Sequence, residues 1–514
     1  MKKNNLHSNI NHEDYAAIQT FESFWDINVY KRSVRQHDNC WYFLVREGSN
    51  KLLIIAANKG HSFSTEFQGH QIEAGEFVFL RCKMIHRNAE ALRSKFEFTN
   101  PVLIGKKNSY GFGDRLGNAG PAHLRAVRNS GFRPVLAQQS IRELDRTNRT
   151  AQEVMDAASW SVFQEGFTEG FGADADHLKS TEHIDRMVKA GFTMFTIDPS
   201  DHVEDEAHSM DPDELEKVFT ALPWIQLHTQ PEDLLKRYLS EELNLKNDLV
   251  LTPSRQDVIK GMVKYGRVIT HTKKLADYMA SSYPEHPAEL ELSIDETELP
   301  TTPFEHYLIA SELKRLNLDL VSLAPRFCGD FEKGIDFKGD LDQFRSEYEQ
   351  HLAIAERFGG YKLSIHSGSD KFSVYKVIGS INSGSVHVKT AGTSYLEALR
   401  TIAEVKPGLF REILFNSIKR FNEDKKTYHI SAKLQNIPEL ESLNNNQLPQ
   451  LLDDNDTRQV LHVSYGSILT GSSENKSFKE RIIRTLEENE HLHEKNLEHH
   501  FDKHLNPFNS LINE

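Results

Sequence analysis

From about Pro101 onward, short apolar runs alternate with stretches of helical periodicity, and the alternation repeats eight times. That pattern argues for βαβ units and a parallel sheet. The predicted strands are Val102–Gly105, Pro134–Gln138, Gly170–Ala175, Thr193–Asp198, Leu290–Asp295, Leu318–Ala324, Tyr361–His366 and Ser385–Lys389. Between them, Leu341, Phe344, Tyr348, Leu352 and Ala355 fall on one helix face, with Gly359 as the stop. Ile184, Met187 and Val188 repeat the pattern on a shorter helix closed by Gly191. Eight such units suit an α/β fold closed as a (β/α)8 TIM barrel. The rival is an open doubly wound sheet, but no Gly-rich dinucleotide fingerprint follows the first strand.

The barrel is predicted over residues 101–400 of the 514. Before it, residues 1–100 carry the runs Trp41 to Val45, Leu52 to Ala56 and Gly75 to Leu80 between turn residues, which predicts a small β-rich unit. Residues of about 203–288 are too many for a βα loop and have helical character, so they read as a helical insertion at the strand-end face, placed to act as a lid. Residues 401–514 read as a C-terminal helical extension.

The formal net charge of −14 repels phosphodiester backbones, and no basic stripe interleaves with aromatics, so nucleic acid is an improbable partner. Met1 to Asp14 is largely polar, and no run reaches the roughly 20 apolar residues of a membrane span. Three widely spaced cysteines imply no disulfide framework. The expectation is a soluble, cytoplasmic protein with no membrane partner and an open oligomeric state. Five of the 25 histidines (His491, His493, His499, His500 and His504) sit near the end, as in a solvated tail.

In a (β/α)8 barrel the active site lies at the carboxyl ends of the strands. The predicted strands end in turn on Lys106 and Lys107; Gln138 and Gln139; Asp174, Asp176 and His177; Asp198, Asp201 and His202; Asp295 and Glu296; Arg326, Asp330 and Glu332; His366; and His387 with Lys389. A polar residue closing a strand is usually a cap or turn former, and Ser200 with Asp201 suits a helix N-cap. Acids, histidines and lysines at nearly every strand end are harder to assign to turns alone. Converging His and carboxylate side chains form a ligand set for Zn, Mn, Ni or Fe(II). Asp114 and Arg115 follow the first strand and are candidates to line the same pocket, whereas isolated His123 and His271 read as structural. The Ser-Gly-Ser after His366 and the Ala-Gly-Thr-Ser after Lys389 expose backbone N–H groups suited to an anion, phosphate or carboxylate.

Five runs carry a family resemblance: Gly-Ala-Asp-Ala-Asp-His-Leu-Lys at 172–179, Gly-Phe-Thr-Met-Phe-Thr-Ile-Asp-Pro-Ser at 191–200, Ala-Pro-Arg-Phe-Cys-Gly-Asp-Phe-Glu-Lys-Gly at 324–334, Ser-Ile-His-Ser-Gly-Ser-Asp-Lys-Phe-Ser at 364–373 and His-Val-Lys-Thr-Ala-Gly-Thr-Ser-Tyr at 387–395. Together they resemble the tagaturonate/fructuronate epimerases. The resemblance implies C4 epimerisation of D-fructuronate and D-tagaturonate with one divalent metal. It further implies Asp176 as proton acceptor, Glu296 as proton donor, and His177, Glu332 and His366 as metal ligands. Gln138, Asp198, Arg326 and Lys389 are expected to bind the small sugar-acid substrate. C4 is not acidic, because the ketone is at C2 and the carboxylate at C6. Retro-aldol cleavage of C3–C4 followed by re-addition is therefore the expected chemistry. Two alternatives stand beside it: an aldolase using Lys389 as a Schiff base, and a barrel that binds sugar acids without turning them over.

Overall fold

The computed structural model describes residues 12–25, 27–240, 242–245, 249–473 and 476–508. The opening segment through Asn11 lies outside them. Eight parallel strands close into a barrel: Ser109–Phe112, Arg133–Ser140, Gly172–Leu178, Met194–Ile197, Glu289–Ile294, Ser322–Pro325, Lys362–Ile365 and Val386–Thr390, hereafter barrel strands 1 to 8. Strand 1 pairs with both strand 8 and strand 2, which completes the ring.

Seven of the eight predicted strands overlap barrel strands 2 to 8; the first does not. Val102–Gly105 is a plug rather than a strand. The Val102 N–H donates to Phe171 O (2.8 Å), and the N–H groups of Ile104 and Gly105 donate to the Glu289 carboxylate (3.1 and 2.8 Å). Lys362 Nζ donates to Gly105 O at 2.8 Å. Glu289 and Lys362 begin strands 5 and 7, so the segment crosses the amino-terminal mouth of the barrel. Lys106 and Lys107 accordingly lie at the end away from the strand carboxyl termini. The true strand 1, Ser109-Tyr110-Gly111-Phe112, is short and interrupted by glycine. A Cβ at Gly111 would stand 2.1 Å from Gln138 Oε1, so the glycine leaves the space that the Gln138 amide occupies.

The expected insertion resolves into two parts. Helix Arg255–Ser282, opened by a Ser254 capping box, is the fourth helix of the barrel ring and packs between Thr181–Lys189 and Pro303–Arg315. Helices Pro212–Thr220 and Pro231–Leu239 pack against its flank. Among the described residues, none between 203 and 288 lines the cavity at the top of the barrel.

The N-terminal unit is an antiparallel sheet centred on Cys40–Glu47, Asn50–Asn58 and Phe77–Lys83. Helix His12–Phe24 covers one face through Phe21 against Phe43 and Phe79. The other face meets Trp160 and Phe163 of barrel helix Ala151–Glu165.

The C-terminal extension shares a core with the eighth barrel helix, Thr393–Val405. Its last helix, Glu490–Leu505, lies against Gly120–Val127 and Thr393–Val405. His493, Leu497, His500, Phe501 and His504 form its buried stripe, at the i, i+3/i+4 spacing of an amphipathic helix. The solvated histidine tail is thereby corrected: only His491 and His499 of the five are exposed.

Candidate active site

Side chains alternate along a strand, so every second residue points into the barrel. Strand 3 contributes Asp174 and Asp176 in this way, strand 4 Thr196, strand 5 Glu291, and strand 8 Lys389. Lys389 is 4% exposed, and its Nζ lies 2.7 Å from Asp174 Oδ2, 2.8 Å from Asp176 Oδ1, 2.7 Å from Glu291 Oε1 and 2.7 Å from Thr196 Oγ1. Burial disfavours the ammonium, but the three carboxylates overrule it and hold its pKa well above the usual lysine value. Lys389 lines the cavity, but it donates to Asp176 and Thr196 and pairs with Asp174 and Glu291, so it is held as an ammonium and not as the free amine that a Schiff base requires.

Above this cluster stand two imidazoles. His177, at φ 56° on a non-glycine residue, donates from Nδ1 to Asp176 Oδ1 at 2.8 Å. His366 donates from Nε2 to Glu291 Oε1 at 2.8 Å. Each carboxylate only accepts, which fixes the bonded nitrogen of each ring as the protonated one. His177 Nε2 and His366 Nδ1 are left facing each other's neighbourhood, with ring centroids 5.1 Å apart.

Asp295 Oδ1 lies 3.1 Å from His366 Nδ1, a contact that does not meet hydrogen-bond geometry, and this nitrogen is buried without a hydrogen bond. His177, Asp295 and His366 offer ligand atoms within 4.8 Å of one another. Two imidazoles and a carboxylate converging on an orphaned buried nitrogen fit a divalent cation of the Zn, Mn, Ni or Fe class.

The charges around this group are strongly biased. Burial pushes Asp176 up, but His177 and Lys389 beside it hold it well below the usual carboxylate range. Burial would lower His366, but Asp295 and Glu291 bring it up to about 10. Asp174, the deepest of the three acids, is pushed up to about 6 by burial, against the pull of Lys389. Glu296 is about half exposed, with Oε1 4.0 Å from His177 Nε2.

These groups open onto a cavity of about 380 Å3, which is large enough for a six-carbon acid. Gln138 and Arg326 line it as expected. Both amide atoms of Gln138, and Arg326 Nε, are buried without a protein partner. Arg115 also lines it, whereas Asp114 instead caps the Leu116–Ala119 turn through three N–H groups.

Two expected site residues fall elsewhere. Asp198 does not line the cavity; its Oδ1 accepts the Ser200 N–H (3.0 Å) and so caps the turn that follows. Glu332 is not brought to His177 and His366. It is buried under the C-terminal extension, where it accepts from Ser431 N, Ser431 Oγ and Gln459 Nε2 at 2.8, 2.8 and 2.7 Å. His271, read as solitary, stacks on His202 at 4.0 Å. His123 has the structural role expected of it, bonded to Ser394 Oγ at 2.8 Å.

Several lining residues carried no signal in the strand ends. Arg142 and Lys333 line the cavity, and among the described residues neither they nor Arg326 form an ion pair with a carboxylate. Thr427, Tyr428, His429 and His462 reach it from the C-terminal extension. Tyr428 is fixed there by Arg146, which donates to its hydroxyl (2.7 Å), and by Arg142 over its ring (5.6 Å). Among the described residues, the cavity wall is therefore completed by the chain's last fifth and not by the insertion.

Comparison with known proteins gives one consistent family. The family model for UxaE, tagaturonate epimerase, matches residues 30–508. The tagaturonate/fructuronate epimerase of Thermotoga maritima is 42% identical over 477 residues, 93% of this chain and 96% of that protein. The native crystal structure of the fructuronate–tagaturonate epimerase UxaE from Cohnella laeviribosi superposes with a TM-score of 0.86 at 37% identity, covering 96% of this chain and 99% of the other. A complex of that enzyme with two glycerol molecules superposes with a TM-score of 0.87 over the same shares.

Proposed function

Because the chain belongs to the tagaturonate epimerase family, we propose that its barrel cavity interconverts D-fructuronate and D-tagaturonate at C4 by retro-aldol cleavage and re-addition. The observation that carries the reading is the convergence of His177, Asp295 and His366 with two flanking carboxylates, Asp176 and Glu296, on one enclosed cavity.

Asp176 is the proton acceptor. His177 and Lys389 keep it ionised throughout the working pH range, so it is always ready to take the C4 hydroxyl proton. As that proton leaves, the C3–C4 bond breaks, C4 becomes an aldehyde, and the electron pair passes to the C2 carbonyl as an enediolate on the first fragment. One divalent cation held by His177, Asp295 and His366 would supply the positive charge that stabilises this enediolate. The aldehyde fragment turns, the bond re-forms on its opposite face, and Glu296 protonates the new C4 alkoxide. Glu296 borders solvent and regains its proton there, while Asp176 releases the proton it took into the cavity, so the cycle closes with no net proton uptake.

Arg326 and Lys333, cations without a carboxylate partner, suit the C6 carboxylate. Gln138 offers an unpaired donor and acceptor to the sugar hydroxyls. Tyr428 and its neighbours keep the separated fragments from escaping. Three free, buried cysteines suit a reducing cytoplasm, and among the described residues no helix is long and apolar enough to cross a membrane.

The deciding experiment is conversion of D-fructuronate to D-tagaturonate by chelator-stripped protein, before and after single divalent metals are returned. Activity lost and then restored supports the reading. Turnover undiminished by stripping removes the metal from it.

A further inference from the structure

Both metal-facing imidazoles lean on a carboxylate, and both carboxylates lean on one lysine. His177 Nδ1 donates to Asp176 Oδ1 at 2.8 Å, and Lys389 Nζ lies 2.8 Å from that same oxygen. His366 Nε2 donates to Glu291 Oε1 at 2.8 Å, and Lys389 Nζ lies 2.7 Å from that same oxygen. The two histidines come from strands 3 and 7, on opposite sides of the barrel, and the lysine from strand 8. We infer that Lys389 is a positioning residue whose single ammonium ties the two carboxylate–histidine pairs into one unit, and so fixes the separation and orientation of two ligands of the proposed metal.

Four observations carry this. The lysine is buried, its side chain 4% exposed, so it has no solvent to answer to. Thr196 Oγ1 and Asp174 Oδ2, both 2.7 Å away, hold the ammonium from beneath and leave it no freedom to follow either partner alone. Each ligand ring is fixed through its far nitrogen: His177 must present Nε2 and His366 Nδ1, an asymmetric pair that only the two carboxylates enforce. Without the ammonium, Asp174, Asp176 and Glu291 would share one interior with no cation at its centre, and their mutual repulsion would spread the cluster.

The inference rests on the proposed metal reading, and its sign separates it from simple electrostatics. Removing a positive charge beside a cation site should tighten cation binding by Coulomb's law. Loss of a positioning residue should weaken it instead, by the 10–100-fold typical of outer-shell partners.

The test is a Co2+ titration of chelator-stripped protein, followed by the visible absorption of the bound ion, for wild type, Lys389→Met and Glu291→Gln. Co2+ affinity reduced about 10–100-fold in Lys389→Met, with an altered absorption band, is the expected result. Affinity equal to or tighter than wild type in a folded Lys389→Met protein overturns the inference. Should Lys389→Met fail to fold by circular dichroism, Glu291→Gln reads the same linkage, because Glu291 joins the lysine to His366 and leaves the Asp176–His177 pair intact. Unchanged affinity and spectrum there would overturn it too. A wild-type protein that binds no Co2+ defeats the metal reading itself, an outcome distinct from wild-type binding that the variants match.

Discussion

The buried carboxylate of Glu332 accepts both the backbone N–H and the hydroxyl of Ser431, each at 2.8 Å, and thereby pins the C-terminal extension to the loop that follows barrel strand 6. Gln459 from the same extension and Lys338 from the loop complete its shell, at 2.7 and 3.1 Å. The segment it secures leads from Ser431 back to Tyr428 and His429 on the cavity wall.

This arrangement makes Glu332 a clasp for the roof of the site. Glu332→Gln removes the charge from four hydrogen bonds, at a cost of about 1–3 kcal/mol. The expected result is a lower melting temperature and a raised KM, with metal affinity as in wild type. His366→Ala should instead abolish metal binding. Metal titration of the two variants side by side checks this, and a large loss of affinity in Glu332→Gln would return that residue to the ligand set.

What the sequence makes legible follows from how locally each feature is specified. Seven barrel strands are visible because each carries buried apolar residues in succession or at every second position, a pattern that is local to the strand. The first is not: Val102–Gly105 is more apolar than Ser109–Phe112, yet it spends its N–H groups on Glu289 and Phe171 at the barrel floor. His177, Asp295, Glu296 and His366 are legible as strand ends. Asp174 is legible too, two residues before Asp176, whereas Glu291 lies two alternations below Asp295, and that four-residue spacing on one strand face would have revealed it. Tyr428, His429 and His462 carry no local signal, since only the docking of the extension brings them to the cavity. Glu332 sits in a motif-bearing loop, but its orientation depends on Ser431, 99 residues later.

Gly111 separates folding from function. A Cβ there would meet the end of a flexible side chain, Gln138 Oε1, at 2.1 Å. Gly111→Ala should therefore fold with a melting temperature within a few degrees of wild type, because the amide can swing aside. Displacing Gln138 from the cavity should lower kcat/KM by at least tenfold, on the order of 1.4 kcal/mol in transition-state binding. A variant that melts and turns over normally would show that Gln138 does not touch substrate.

Acid should unfold this protein early. His123, His351 and His493 are pushed down to about 4 by burial, and His387 and His504 to about 3. Above the unfolded histidine value of about 6.5 these groups are neutral in both states and cost nothing. As pH falls from there toward 4, the unfolded chain binds protons that the folded one refuses, so stability drops, by on the order of 3 kcal/mol for each group acting alone. In the metal-free protein His366, raised to about 10, works the other way: its contribution is present below 6.5 and fades as pH rises toward 10. Burial holds His306 and His462 well below the ordinary value too, while His177 is raised by Asp176 against its burial, so the lowered rings outnumber the raised ones and acidification gives a net loss. Denaturant midpoints at pH 7.5, 6 and 4.5 should fall steadily, and a flat profile would contradict the buried neutral rings.

The cations without partners test the substrate's charge. Lys333 Nζ donates to Ser367 Oγ, beside the small-residue loop after His366, and among the described residues it meets no carboxylate. A chain of net charge −14 would ordinarily pair such a group, so an unpaired lysine on a cavity wall implies an anionic visitor. Lys333→Gln keeps a hydrogen-bond donor of similar length and removes only the charge. A charge-assisted bond contributes about 1.5–3 kcal/mol, so KM for D-fructuronate should rise roughly ten- to a hundredfold while kcat stays near wild type, because the lysine grips the carboxylate equally before and during cleavage. Any turnover of D-fructose, which has a hydroxymethyl group where the acid has its carboxylate, should be unaffected by the same substitution. If both substrates lost efficiency equally, Lys333 would be supporting the loop rather than reading the acid; if kcat fell with KM unchanged, its charge would be acting on the transition state.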